Sequence, residues 1–225
     1  MTYDTILFDV DGVILRWPEG HPTVYRPGVK SAFDEFDASP STEELNTFLT
    51  GSLEEMVAVC EAYDVSMESF WPRREFHVSK IQQEMMDDGE RTLYDDTAVL
   101  SDLWSAHSLG LVSNNQHDTV TYMVETFSLG DLFDTVYGRE PSVDGFRRTK
   151  PHPCYLERAI GDVGVDNGLY VGDSACDVEV AHALGLDSVF LRRPHRVGYE
   201  LSMQPTYEVE TLSALSSLSG VVTSE

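Results

Sequence analysis

Short apolar runs alternate with amphipathic segments along most of this chain, and that alternation restricts its fold more than any other feature. The pattern predicts buried strands at residues 5–8, 109–112, 135–137, 169–171 and 188–191. It predicts helices between them at residues 98–108, 118–127, 153–163 and 178–184. Strands that alternate with helices of about ten residues are typical of βαβ units. We therefore expect an α/β fold, with helices on both faces of a parallel sheet.

The segment from residue 15 to residue 92 departs from this alternation. Helical patterns cover residues 29–36, 42–48, 53–63 and 75–86, and no convincing strand pattern separates them. We interpret the segment as an α-helical insertion between the first and second strands of the sheet. The expected domains are an α/β core at residues 1–14 and 93–225 and a smaller helical domain at residues 15–92.

The chain carries 39 acidic and 15 basic residues, so its formal net charge is −24. Nucleic acids and anionic membranes are bound through lysine and arginine, and this balance argues against both as partners. A hydrophobic content of 41% is enough for a packed core and argues against disorder. The acidity is spread evenly, and lysine is scarce. Such a surface on an ordinary core resembles proteins of salt-accumulating microbes, and the alternative is a somewhat acidic mesophilic protein. We expect a halophilic archaeal origin.

The sequence offers no signal for secretion or membrane insertion. No run approaches 18 apolar residues, the length expected of a transmembrane helix. The first residues, Met1 to Asp4, lack the basic stretch that opens a secretory signal. The three cysteines, Cys60, Cys154 and Cys176, are odd in number and widely spaced, which favours reduced thiols over disulfides or a zinc site. We expect a cytoplasmic protein.

Two carboxylates follow the first predicted strand, in the sequence Asp9-Val10-Asp11-Gly12. In open α/β sheets ligands bind at the carboxyl ends of the strands, so both acids are expected at a binding edge. Residues two apart in an extended chain point to the same side, and Asp9 and Asp11 can therefore reach one substrate. The alternatives are a turn with solvated carboxylates and a fragment of a calcium loop, the latter disfavoured by the apolar strand before it.

Further polar groups occur where other strands end or helices begin. Ser113 and Asn114 follow the second strand, although both residue types also favour turns. Lys150 precedes a predicted helix, and taken alone it would be an ordinary solvated lysine. Asp173 follows the fourth strand, with Asp177 four residues later. These two acids can converge on a hard cation, or Asp177 can stabilise the start of a helix, and both can hold together.

Taken in order, these residues resemble the four motifs of the haloacid dehalogenase superfamily, most members of which are magnesium-dependent phosphatases. The motifs here are Asp9-x-Asp11-Gly12, Ser113-Asn114, Lys150-Pro151 and Gly172-Asp173-x-x-x-Asp177. The resemblance covers residues 3–13 and 93–209. It implies a Rossmann-like parallel sheet as the core and an α-helical cap in residues 15–92.

The resemblance also implies catalytic and substrate-binding roles. Asp9 would be the nucleophile that forms an aspartyl-phosphate, and Asp11 the general acid and then the general base. Ser113, the Asn114 main-chain amide and Lys150 would bind the oxygens of the transferred phosphoryl group.

The implied cofactor is Mg²⁺, held by Asp9, the main-chain carbonyl of Asp11 and Asp173, with Asp177 orienting the other ligands. The implied substrate is a small phosphate monoester, similar to phosphoglycolate or a sugar phosphate. The rest of the substrate would meet aromatic and arginine side chains of the helical segment and its lead-in. The candidates are Arg16, Trp17, His21, Tyr25, Arg26, Phe70, Trp71, Arg73 and Arg74. The alternative is a structural role, with the aromatic residues in the core of the segment and the arginines paired with surface acids, and for any single residue we prefer that alternative.

Three other functions use the same fold. A 2-haloacid dehalogenase would attack carbon through Asp9, but it needs neither a second acid nor a metal, so Asp11 and Asp173 count against it. A sugar phosphomutase shares the motifs and differs in how long its aspartyl-phosphate survives water. A catalytically idle binding protein has no need of four intact motifs. The sequence leaves the oligomeric state open.

Overall fold

A parallel sheet forms the centre of the α/β part of the molecule. The structure is a computed structural model that describes residues 2–222, and within them the sheet has six strands. They are β1 (Thr5–Phe8), β2 (Ser108–Gln116), β3 (Thr135–Arg139), β4 (Gly168–Gly172), β5 (Asp187–Leu191) and β6 (Tyr207–Val209). Their order is β3-β2-β1-β4-β5-β6, and every pairing is parallel. The predicted α/β fold with a parallel sheet is confirmed.

The helices divide between this sheet and a separate helical region. Those of the helical region are α1 (Arg26–Asp34), α2 (Thr42–Thr50), α3 (Leu53–Ala62), α4 (Met67–Asp87) and the short α7 (Val143–Arg147). Those of the sheet region are α5 (Val99–Trp104), α6 (His117–Thr126), α8 (Cys154–Val163) and α9 (Ala175–Ala183).

Strand β1 occupies the middle of the sheet, between β2 and β4. All four of its residues are buried, which explains why it reads as a continuous apolar run rather than an alternating one. Because the strands are parallel, the segments that follow β1, β2 and β4 leave the sheet at the same edge. Asp9 and Asp11 follow β1, and Asp173 follows β4. Ser113 and Asn114 were predicted to follow the second strand, but β2 extends to Gln116 and includes both residues in its last part.

Two elements were not predicted from the sequence. Strand β6 has three residues at the sheet edge, all of them partly or fully exposed, so it lacks an apolar signal. Helix α7 has five residues, too few to show a helical period.

The helical region has its own apolar core. Phe33, Phe48 and Phe70 meet within it, with ring centroids 4.2–5.3 Å apart. Helices α2 and α3 each begin with a capping box, formed by Ser41 with Glu44 and by Ser52 with Glu55.

Helix α4 is longer than the sequence predicts. It starts at Met67 instead of residue 75, with the Ser66 side chain capping its first turn and Pro72 inside it. The burial of Phe70 and Trp71 stabilises this first part, since each side chain is 0% exposed.

The chain divides into two compact units. The α/β unit contains residues 1–16, 92–139 and 148–225, and the helical unit contains residues 17–91 and 140–147. The segment 140–147 lies in the predicted α/β core by sequence, yet Val143 and Phe146 pack in the helical unit, where Phe146 meets Trp71 at 4.9 Å. Among residues 2–222 no helix combines the length and apolarity that crossing a membrane requires.

Candidate active site

The turn after β1 places the first two acids of the site. The Asp9 amide donates to the carbonyl of Val171 on β4 (2.9 Å), which continues the sheet to that point. Gly12 then adopts a positive φ of 78° and begins the turn. Asp9 and Asp11 are both buried, at 8% and 6% exposure. Buried carboxylates require partners, and the neighbouring motifs supply them.

Lys150 provides the positive charge beside Asp9. Its Nζ lies 2.9 Å from Asp9 Oδ1 and 2.7 Å from Asp177 Oδ1, and it also donates to the Tyr170 hydroxyl oxygen (2.8 Å). Burial acts to lower the pKa of Lys150, but the Asp177 and Asp9 carboxylates hold it well above its ordinary value. The lysine is therefore a fixed cation beside the Asp9 carboxylate.

Asn114 holds the main chain of Lys150. The Asn114 side chain accepts from the Lys150 amide (2.7 Å) and donates to the Lys150 carbonyl (3.1 Å). Ser113, also at the end of β2, is buried, and its hydroxyl accepts from the Asn115 amide (3.2 Å). The structure thus joins the second and third motifs, with the Asn114 side chain as the link.

Asn115 is absent from the residues predicted from the sequence. Its side-chain amide donates to Asp11 Oδ2 at 2.8 Å, and its own Oδ1 accepts from the Gln116 amide at 2.9 Å. The sequence feature that could have indicated Asn115 is its position directly after the Ser113-Asn114 pair.

Asp173 has two basic neighbours that were also not predicted. His195 Nε2 lies 2.7 Å from Asp173 Oδ2, and Arg196 Nε donates to the same oxygen at 3.0 Å. Burial acts to raise the pKa of Asp173, but these neighbours hold it below its ordinary value. Both follow β5, so only the strand order could have indicated them.

Asp177 stabilises the start of a helix, which is one of the two roles considered for it, and it also contacts Lys150. Its Oδ2 accepts from the Ser174 amide (3.0 Å) and hydroxyl (2.5 Å). Asp177 is the third residue of α9 and forms a capping box with Ser174 at the start of that helix. Its Oδ1 contacts Lys150. The helix start therefore fixes the acid against the lysine.

The acids at these strand ends form a group suited to a hard cation. One carboxylate oxygen each from Asp9, Asp173 and Asp177 lies within 4.8 Å of the others, and all three residues are buried. Oxygen donors of this kind suit Mg²⁺. Burial raises the pKa of Asp9 to about 7, against the Lys150 charge, which lowers it. A divalent cation here would favour the ionised form of Asp9.

Several predicted substrate contacts prove to be structural. Phe70 and Trp71 lie in the core of the helical unit, which agrees with the preferred interpretation of these candidates as core aromatics. The arginines of that unit have partners within it: Arg26 donates to Asn46 (2.7 Å), and Arg73 pairs with Glu35 (2.8 Å).

The parallel α/β fold and the acids at its strand ends define a class of hydrolase. The sequence profile of the haloacid dehalogenase-like hydrolase family matches residues 6–191. The chain belongs to that family.

Curated relatives match the chain over different lengths. The phosphoglycolate phosphatase of Salmonella choleraesuis (strain SC-B67) is 32% identical over 101 residues, 44% of this chain and only 38% of the relative. Pyrophosphatase PpaX of Bacillus pumilus (strain SAFR-032) is 25% identical over 187 residues, 82% of this chain and 81% of the relative.

Solved structures share the whole fold at low identity. CbbY from Rhodobacter sphaeroides, in complex with phosphate, has a TM-score of 0.68 and 18% identity, covering 95% of this chain and 96% of its own. The hydrolase YfnB from Bacillus subtilis, bound to magnesium, has a TM-score of 0.60 and 16% identity, covering 96% and 98%. At these identities the likeness shows a common fold.

Proposed function

We propose that the chain is a Mg²⁺-dependent phosphatase that hydrolyses a small phosphate monoester, similar to phosphoglycolate or a sugar phosphate, through an aspartyl-phosphate. The observation that carries the proposal is the placement of Asp9, which contacts Lys150 and lies within the acid group, with Asp11 two residues later. The relatives named phosphoglycolate phosphatase and pyrophosphatase support a phosphoryl substrate.

In the first step, the Asp9 carboxylate attacks phosphorus while the bond from phosphorus to the leaving oxygen breaks. Asp9 Oδ1 is held by the Val10 amide (2.8 Å) and Lys150, so we assign the attack to Oδ2. Asp11 donates its proton to the leaving oxygen, which departs as an alcohol. Ser113 and Lys150 bind the phosphoryl oxygens.

In the second step, Asp11 acts as a base. It removes a proton from water, which attacks phosphorus and displaces the Asp9 carboxylate. Inorganic phosphate leaves, and Asp11 again carries its proton. Asn115 keeps the Asp11 carboxyl in one orientation through both steps.

Bound Mg²⁺ supplies positive charge that offsets the repulsion between the phosphoryl group and the Asp9 carboxylate. Asp9, Asp173 and the main-chain carbonyl of Asp11 would hold it. Asp177 is engaged by Ser174 and Lys150, which supports an orienting role for it.

We assign the helical unit the role of a cap that selects the substrate. A cap that closes over the site favours a small substrate over a folded protein. Of the predicted contacts in this unit, Trp17 is half-buried and His21 exposed, with ring centroids 4.0 Å apart, which keeps both as candidates.

We propose that the protein works in a reducing compartment. Cys60, Cys154 and Cys176 are all free thiols, which supports the cytoplasm. The net charge of −24 supports neither a nucleic acid nor an anionic membrane as a partner.

The other functions of the fold are less well supported. A dehalogenase has no use for the contact between Asn115 and Asp11, or for the acid group around Asp173. An idle binding protein has no need of a buried lysine whose main-chain amide and carbonyl are both hydrogen-bonded by Asn114. A phosphomutase would use the same residues, so the lifetime of the phosphorylated protein separates it from a phosphatase.

The test is release of inorganic phosphate from p-nitrophenyl phosphate and ethyl phosphate, with Mg²⁺, in concentrated KCl. We expect turnover that EDTA abolishes and Mg²⁺ restores. Asp9→Asn removes the nucleophile, so the rate should fall by about 1000-fold or more.

A matched carboxylate-to-amide change controls for altered charge. Asp131 is exposed and lies outside the site, so Asp131→Asn should keep the wild-type rate. Turnover that survives Asp9→Asn would refute the proposal. Halide release from a 2-haloacid, insensitive to EDTA, would establish the dehalogenase instead.

A further inference from the structure

The short turn after β5, Pro194–Arg196, brings an arginine to the acid group. Arg196 donates through Nε to Asp173 Oδ2, while Asp173 itself is only 2% exposed at its side chain. Within residues 2–222, the terminal nitrogens of Arg196, Nη1 and Nη2, have no hydrogen-bond partner, and its side chain is 22% exposed. A pair of donors thus remains open beside the reaction centre.

The guanidinium is held in place from several sides. Arg192 Nη1 donates to the carbonyls of Arg196 (3.0 Å) and Tyr199 (2.9 Å), which fixes the main chain of the turn. The Arg196 guanidinium lies over the Tyr199 ring, 4.9 Å from its centroid, and Tyr199 stacks on Phe190. Because the Arg196 side chain is ordered in advance, it loses little conformational entropy when an anion binds.

The open donors of Arg196 contrast with those of Arg193 and Arg16 in the same unit. With 39 acids to 15 bases, an arginine readily finds a carboxylate for its terminal nitrogens. Arg193 places both on Asp96, and Arg16 places one on Asp95. Arg196 instead donates to Asp173 through Nε and leaves Nη1 and Nη2 available for another anion.

We propose that Arg196 binds a second anionic group of the substrate, a carboxylate or a second phosphate, so that the substrate class is a small phosphate ester with an additional oxyanion. This inference rests on the proposed function and names its substrate class. A guanidinium fork matches the two oxygens of such a group, whereas a lysine would act only as a point charge.

The distances also limit the size of the substrate. Arg196 Nε lies 3.0 Å from Asp173 Oδ2, and Asp173 belongs to the group of acids whose oxygens lie within 4.8 Å of one another. The second anion therefore lies close to the phosphorus that Asp9 attacks. A phosphorylated 2-hydroxy acid and a diphosphate are short molecules that carry two such anions.

The test compares two substrates that differ only in the second anion. 2-Phosphoglycolate carries a carboxylate where ethyl phosphate carries a methyl group. We expect wild-type kcat/KM to favour 2-phosphoglycolate by at least tenfold, Arg196→Gln to abolish that preference, and Arg196→Lys to keep only part of it. Pyrophosphate is the third substrate, and its kcat/KM relative to ethyl phosphate measures the preference for a second phosphate.

The preference ratio separates substrate binding from support of Asp173. If Arg196 only holds Asp173, Arg196→Gln lowers kcat/KM equally for both esters, the ratio stays constant and the inference fails. If the ratio falls for 2-phosphoglycolate, the second group is a carboxylate. If it falls for pyrophosphate relative to ethyl phosphate, the group is a phosphate. Absence of wild-type turnover on every ester would instead refute the proposed function.

A binding measurement avoids dependence on turnover. Phosphonoacetate and ethylphosphonate form the matching non-hydrolysable pair, and calorimetry with Mg²⁺ gives their affinities. We expect at least tenfold tighter binding of phosphonoacetate, lost in Arg196→Gln and kept in Arg158→Gln, which removes an exposed arginine of α8. Equal affinities for the pair in the wild type would overturn the inference. Circular dichroism verifies that each variant is folded.

Discussion

At the scale of single residues, Lys150 has to satisfy two buried acids at once. Its Nζ is within 3 Å of both the Asp9 and Asp177 carboxylates, and its side chain is 1% exposed. Like charges in a buried site repel strongly when the cation between them is lost. We therefore expect Lys150 to contribute to stability as well as to the proposed reaction.

The first prediction follows from this arrangement. Without Mg²⁺, Lys150→Met should lower the free energy of unfolding by about 3–5 kcal/mol, because it leaves two buried carboxylates without their cation. Mg²⁺ should recover part of that loss by supplying charge to the same acids. Urea unfolding with and without Mg²⁺ measures both effects.

A surface lysine provides the control for this prediction. Lys80 pairs with Glu84 on the exposed face of α4, and exposed pairs contribute at most about 1 kcal/mol. Lys80→Met should therefore have a small effect that Mg²⁺ does not change. A similar loss of unfolding free energy in both variants would show that the two buried carboxylates do not depend on Lys150 for their stability.

The second prediction concerns Asn115. Its hydrogen bond orients the Asp11 carboxyl, and a bond to a charged group contributes about 1.5–3 kcal/mol. Asn115→Ala should therefore lower kcat for ethyl phosphate by roughly 10- to 100-fold. The effect on p-nitrophenyl phosphate should be smaller, because its leaving group needs less help from an acid.

Asp11→Asn is the reference for this pattern. It removes the acid itself, and its loss on ethyl phosphate should reach about 100- to 10000-fold, again with a smaller effect on the aryl ester. Equal losses on both esters in Asn115→Ala would mean that Asn115 acts on something other than proton transfer.

At the scale of elements, the predictable part of the molecule is the part with a regular period. The strands that carry motifs were found because each is a buried apolar run that ends in a polar residue, as β1 ends before Asp9 and β4 before Asp173. Their meeting at one sheet edge follows from parallel pairing.

The unpredicted contacts join elements distant in sequence. Arg196 reaches Asp173 because β5 pairs with β4, a fact of sheet order. Asn115 bonds Asp11 because β2 pairs with β1. In the helical unit, Trp71 belongs to the core because α4 starts at Met67, about two turns before the part that the sequence predicts. The hydrophobic pattern of a short segment does not indicate which distant segment it contacts, so these pairings could not be predicted from it.

The third prediction uses Cys60 as a reporter of the helical unit. Burial raises the pKa of the Cys60 thiol to about 12, so at pH 8 almost none of it is the reactive thiolate. Ser52→Ala removes the cap of α3, which costs about 1 kcal/mol. Labelling of Cys60 by a thiol reagent should then become roughly fivefold faster, because the helical unit opens more often.

Cys154 supplies the internal control. It lies in the α/β unit, at the start of α8, and is half-buried. Its labelling rate, followed by mass spectrometry in the same sample, should not change in Ser52→Ala. A parallel rise at both cysteines would mean that the two units open together.

At the scale of the whole molecule, the charge of −24 sets a condition on stability. Repulsion among surface acids opposes the folded state, and salt at about 1 M shortens the range of that repulsion to roughly 3 Å. The predicted adaptation to salt therefore requires that KCl stabilise the fold.

The fourth prediction is a midpoint of thermal unfolding that rises by several degrees between dilute buffer and 2 M KCl. Neutralising three exposed acids together, Glu61→Gln, Glu125→Gln and Asp131→Asn, should raise the midpoint in dilute buffer and reduce its dependence on salt. A midpoint independent of KCl would show that the acidity has another cause.

The placement of residues 140–147 in the helical unit has a consequence for inheritance. The chain passes between the units four times, after residues 16, 91, 139 and 147. A genetic exchange that replaced only residues 17–91 would bring a foreign surface to Phe146, which now packs on Trp71. The second piece cannot be replaced without cutting the gene three codons before Lys150. Exchange of the whole helical unit would therefore require two separate replacements in the gene, one for residues 17–91 and one for residues 140–147.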